Sequence, residues 1–84
     1  MSKDLYQGEE SMRLTPQGSN MTELYINGTT ILFSYSTPVA GYDRDGAFRT
    51  GAWYSHATTR HINKYLGKDN GREVTQDYID SLVS

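Results

Sequence analysis

The side chains that could do chemistry in this chain fall at a few places. They are Ser55 beside His56, the imidazole pair His56 and His61, Asp43 with Asp45, the glycine-bearing runs GYDRDG and GKDNG, and the basic run TTRHINKYLG over residues 58 to 67. A metal needs three or four converging ligands, and five residues of helix turn His56 and His61 about 140° apart, so they do not share a face. The chain has no cysteine, which removes thiolate ligands, thiol nucleophiles and disulfides together and fits a reducing compartment. Ser55 and His56 read as neighbours in an extended segment, where side chains point to opposite faces, and no acid is placed to orient the imidazole. Asp43 and Asp45 flank a turn, where an aspartate ordinarily caps its own backbone. Neither glycine run matches a P-loop or a dinucleotide fingerprint. The expectation is a chain that is not an enzyme, with no catalytic residues, no metal and no cofactor.

What survives is the basic run. If Ile62, Tyr65 and Leu66 face inward, then Arg60, His61 and Lys64 face out, with Lys68 beyond them. Arg44, Arg49 and Arg72 join this surface if the segments that carry them border the helix. Cations beside exposed aromatics can hold single-stranded nucleic acid or RNA. Against that stands a net charge of −2 and a pI near 5.5, which weakens long-range attraction to a polyanion. Charge is unevenly spread, at −3 over residues 1 to 43, +4 over 44 to 72 and −3 over 73 to 84. A dipolar molecule of this kind suits an oriented partner or self-association. A protein, or a second copy of the chain, is therefore the leading expected partner, with Tyr25, Leu32, Trp53 and Tyr42 as contact candidates because aromatics dominate interface energetics. Nucleic acid bound through Arg60 and Lys64 is the alternative.

These residues must be positioned by a small scaffold. Eighty-four residues allow one domain that buries about 60–65% of its unfolded surface. Seven Tyr, two Phe and one Trp make its core thin and aromatic. No apolar run approaches the ~20 residues of a membrane helix, and MSKDLYQGEESM carries no apolar signal-peptide core, so a cytosolic chain is expected.

The best-specified local element is TELYINGTTILFSYS, two β-favouring runs joined by Asn27-Gly28, the pair a type I′ hairpin turn demands. That turn sets Ile26 against Thr29, Tyr25 against Thr30 and Leu24 against Ile31. Leu24, Ile26, Ile31, Phe33 and Tyr35 then share one face, expected to be the core face, and Glu23, Tyr25, Thr30, Leu32 and Ser34 the other. Pro38 should end or bend the strand near Ser36 to Thr37. A second hairpin, Val39 to Tyr42 with Ala47 to Tyr54, turns at Asp43 to Gly46, through either Asp45-Gly46 or a longer loop; Gly41 and Gly51 weaken it.

Thr58 reads as the N-cap of a helix that ends at Gly67, and KDNGRE over 68 to 73 as a polar turn. Thr75 caps the last helix, with Val74 and Ile79 at hydrophobic-staple positions and Asp77 in the first turn. The fold class is α+β, an antiparallel meander of about four strands with two short C-terminal helices packed on one face. Residues 1 to 20 form a flexible or loosely docked arm with a short strand near Met12 to Thr15, and residues 21 to 84 form the domain.

From TTILFSYSTPVAGYDRDGAFRTGAWYSHATTRHINKYL onward, the order of motifs over residues 29 to 83 resembles a family of small proteins of unknown function encoded by tailed bacteriophages and related mobile elements. The resemblance implies a viral accessory protein acting in the host cytoplasm, by steric block of a host defence or regulatory factor, and brings no catalytic residues.

Overall fold

The computed structural model describes residues 12–84. Five strands follow one another as an antiparallel meander: β1 (Met12–Gly18), β2 (Met21–Ile26), β3 (Thr29–Ser34), β4 (Thr37–Asp43) and β5 (Gly46–Thr50). Helix α1 (His56–Leu66) then crosses over to β6 (Arg72–Val74), which pairs parallel with β5, and α2 (Gln76–Val83) closes the chain. The fold is thus α+β, with five meander strands rather than about four and a sixth added in parallel. The strand expected near Met12 to Thr15 is β1, which runs on to Gly18. The rest of the expected arm, residues 1 to 11, lies outside the described residues.

Turn chemistry sets the meander. Asn27 at φ 51° and Gly28 at φ 82° form the β2–β3 turn, and the pairs Ile26 with Thr29, Tyr25 with Thr30 and Leu24 with Ile31 are those the type I′ geometry requires. The β4–β5 turn takes neither expected form. Asp43 pairs with Gly46, leaving Arg44 and Asp45 as the loop. Asp43 Oδ1 accepts from the Asp45 N–H at 2.8 Å, and Gly46 at φ 105° absorbs the left-handed step that follows a type I turn. β3 ends at Ser34, Tyr35 turns the chain at φ 58°, and Pro38 lies inside β4 beside an irregularity between Leu32 and Phe33 pairings. Gly41, which weakens the strand by propensity, is required by packing. A Cβ there would stand 2.0 Å from the Thr30 carbonyl oxygen and 2.8 Å from the Phe48 ring.

The two helices lie on opposite faces of the sheet, which corrects the expectation that both cover one. Arg49 and Phe48 are consecutive in β5 and point to opposite sides. Arg49 donates to Asn63 of α1 at 2.7 Å, whereas the Phe48 ring meets Tyr78 of α2 edge-on at 5.9 Å. The face of Glu23, Leu32 and Ser34 therefore belongs to α1, and the face of Leu24 and Ile31 to α2. Ile31 and Leu32 are both fully buried, so neither face is the solvent face. Under α1 the core is Met21, Leu32, Val39, Ala40, Ile62 and Leu66, with Ala47 and Tyr65 against it. Across the sheet, Phe48 and Ile79 are fully buried.

α2 starts where its signals place it. Thr75 Oγ1 accepts from the Tyr78 N–H at 3.1 Å, and Ile79 is buried four positions into the helix. Asp43 fastens this side. Its carboxylate accepts from Arg72 and from the Tyr78 hydroxyl, and the Arg72 guanidinium holds its pKa down to about 2 against the opposing effect of burial.

Candidate functional site

The N-cap of α1 falls three residues before the expected one. Ser55 is the cap, its Oγ accepting from the Thr58 N–H at 3.1 Å, and Thr58 sits inside the first turn, buried. That places Thr58, Ile62 and Leu66 in one stripe against the sheet, at the i, i+4 spacing of a helix face. Beside the stripe, a run of hydroxyls ends on an imidazole. Ser55 Oγ donates to Thr58 Oγ1 at 3.3 Å, Thr58 Oγ1 lies 3.0 Å from Ser34 Oγ, and Ser34 Oγ lies 2.7 Å from His61 Nδ1. Ser34 thus stands between Thr58 Oγ1 and the imidazole, so Nδ1 is the ring nitrogen engaged by the fold and Nε2 the one left for a ligand. Ser34 is fully buried, so this pairing orients the imidazole and offers no exposed nucleophile.

The outer face carries His56, Arg60 and Lys64, again four apart, all exposed. Trp53, 67% exposed, meets His56 edge-on at 5.6 Å, so an aromatic stands at the head of the cationic stripe. Tyr35 lies against His61 with ring centroids 5.5 Å apart. The turns before β2 and after β3 meet at this end of the sheet, where the Tyr35 N–H donates to the Asn20 carbonyl at 2.7 Å. Between them and α1 is an open pocket of about 510 Å3 lined by Ser19, Met21, Arg60, His61, Asn63 and Lys64.

The other arginines have structural tasks. Arg49 donates to Asn63 Oδ1 and, at 2.8 Å, to the Asn70 carbonyl, tying the end of α1 to β5 just where Gly67, at φ 96°, closes the helix. Arg72 binds Asp43 on the α2 side. Arg44 lies in the β4–β5 turn, at the opposite end of the sheet from the pocket. Tyr25 and Tyr42, each 41% exposed, flank Thr30 on the α1 side of the sheet. Leu32 is not a surface residue. α1 covers it completely, because it stands on the face that sequence alternation assigns to solvent.

Arg60, His61 and Lys64 are therefore brought together at the pocket, Trp53 stands beside His56 at the head of α1, and Arg49 reaches the pocket lining through Asn63. Ser19, Asn63, Tyr35 and the Ser34–Thr58 pair were not among the candidates. One signal for Ser34 was present: a hydroxyl that strand alternation sets on the same face as Leu32 and Thr30. Tyr65, on the inner side of α1, donates its hydroxyl to Glu23, and burial together with that bond pushes its pKa up. Asp43 and Asp45 form a self-capping turn, and Ser55 and His56 begin a helix. Among the described residues there is no group of three or more His, Cys, Asp or Glu side chains able to hold a metal, and no helix long and apolar enough to cross a membrane.

Fold and site together define a small α+β domain whose single sheet separates a basic helix from an acidic one. Residues 12–81 match the family described as "Family of unknown function (DUF8033)", and the chain belongs to that family. The match takes in β1 and β2, which lie outside the resemblance over residues 29 to 83. No curated protein and no solved structure matches the chain.

Proposed function

We propose that the chain is a non-enzymatic binding module that holds single-stranded nucleic acid along the outer face of α1. One observation carries this reading. α1 has Arg60 and Lys64 and no acidic residue, α2 has Asp77 and Asp80 and no basic residue, and the sheet stands between them. The argument against nucleic acid from net charge loses force because Asp77 and Asp80 stand on the far side of the sheet, while Glu23, on the α1 side, is engaged by the Tyr65 hydroxyl beneath the helix. A helix with its side chains is about 10–12 Å across, so charges on the two outer faces lie well beyond the Debye length of about 8 Å at physiological salt. A phosphate backbone on α1 would meet His56, Arg60 and Lys64 in line, with Trp53 and Tyr35 as stacking surfaces for bases.

Fluorescence polarisation with single- and double-stranded oligonucleotides tests this. With about three phosphate contacts, log affinity for a single strand should fall against log salt with a slope of roughly −2. Arg60→Glu with Lys64→Glu should lower affinity by more than about tenfold and flatten that slope. Unchanged binding by the double variant would sink the reading.

A second reading, a protein partner, is favoured by the exposed pair Tyr25 and Tyr42 at the margin of α1, where Tyr42 meets Tyr65 edge-on. It takes the form of a phage or mobile-element protein in a host cytoplasm that blocks a host defence or regulatory factor. A single stoichiometric protein captured from host lysate, lost on Tyr25→Ala with Tyr42→Ala and accompanied by no oligonucleotide binding, would support it instead.

A further inference from the structure

We propose that the pocket between α1 and the β1–β2 turn holds a phosphate monoester, borne by the 5′ end of a nucleic-acid strand or by a free nucleotide. The inference rests on the reading of α1 as a nucleic-acid face and says which group that face anchors.

Each polar side chain lining the pocket has a hydrogen-bond donor to offer a ligand. Asn63 Oδ1 accepts from Arg49, which leaves the Asn63 amide nitrogen for a ligand. His61 Nδ1 is taken by Ser34, which leaves Nε2, a donor when Ser34 donates to Nδ1 or when the ring is charged. Arg60 and Lys64 have no acceptor capacity, and Ser19 adds a hydroxyl free to rotate. Among the described residues, no carboxylate lies within 4 Å of either Arg60 or Lys64, the ion pair there being Arg72 with Asp43. Lys64 Nζ would stand 3.8 Å from a Cβ placed at Gly18, so its ammonium reaches the wall formed by the end of β1.

A lining of donors and cations calls for a ligand that only accepts and carries more than one negative charge. A phosphate monoester presents three terminal oxygens and up to two charges, whereas a backbone diester presents two and one, and a carboxylate two and one. The volume of about 510 Å3 lies in the range of small-molecule sites, so the sugar of the same nucleotide can follow the phosphate in, against Met21.

The test uses the full chain and two oligonucleotides of one sequence, labelled at the 3′ end, one with a 5′-phosphate and one with a 5′-hydroxyl. Adenosine monophosphate and inorganic phosphate serve as competitors. The phosphorylated strand should bind about tenfold tighter. Ser19→Glu, on an exposed turn, should erase that preference, lowering affinity for the phosphorylated strand by about tenfold more than for the hydroxyl strand. His61→Phe should do the same, and because it also breaks the bond to Ser34, Ser19→Glu is the variant that carries the test. Competition by adenosine monophosphate at concentrations close to those of the strand would identify a free nucleotide as the ligand, and its failure to compete would identify the strand end; either supports the pocket. Equal affinity for both strands, with loss only in Arg60→Glu and Lys64→Glu, overturns the pocket and leaves the α1 reading standing. Binding of adenosine monophosphate with no oligonucleotide binding keeps the pocket and retires that reading, and no binding of any probe overturns both.

Discussion

Asp43 shows how one side chain can look catalytic and be structural. In the sequence it is half of an Asp-x-Asp pair. In the fold its carboxylate takes an N–H from its own turn, a guanidinium from β6 and a hydroxyl from α2. A carboxyl held at about 2, below the unfolded value of about 3.9, stabilises the fold above pH 4, and the contribution is lost as pH falls from about 4 through 2. Thermal melts between pH 2 and 6 should show the wild-type Tm dropping across that window. Asp43→Asn should be less stable at pH 6 by about 1–3 kcal/mol and flatter in acid. Parallel curves for the two proteins would show that Asp43 does not latch α2.

At the scale of elements, what could be read from the chain was what local chemistry decides. The β2–β3 hairpin was legible because Asn27-Gly28 and two-residue alternation agree on one register, and α2 because cap, staple and dipole signals coincide between Val74 and Ile79. The start of α1 was ambiguous, since Ser55 and Thr58 are both cap-forming types. Only the tertiary bond from Thr58 to Ser34 draws Thr58 inside. Ser55→Ala should therefore cost about 1 kcal/mol in urea denaturation, as should Thr75→Ala, and a neutral Ser55→Ala would argue that α1 begins later. β6 was hidden because three residues, two of them charged, earn their strand only by pairing with Phe48, Arg49 and Thr50, more than twenty positions earlier. The basic strip followed from helical spacing, whereas the pocket did not, because Ser19 and Met21 reach it through the order of the strands.

The whole molecule is organised by the parallel crossover. β5, α1 and β6 put α1 on one face, and the chain leaving β6 can bury Ile79 only on the other, where Phe48 and Ile31 wait. Adjacent apolar residues at Ile31 and Leu32 are the sequence trace of this two-sided sheet, and a single-core reading discards it. The same architecture sorts the charges of the two helices, and so a chain of net charge −2 can offer a cationic helix. Amide NMR during titration with a single-stranded, 5′-phosphorylated oligonucleotide tests this most directly. Shifts should gather on residues 56 to 64 and on the turns at Ser19 and Tyr35, and leave residues 76 to 83 unmoved; shifts centred on α2, or none anywhere at saturating strand, would contradict the account.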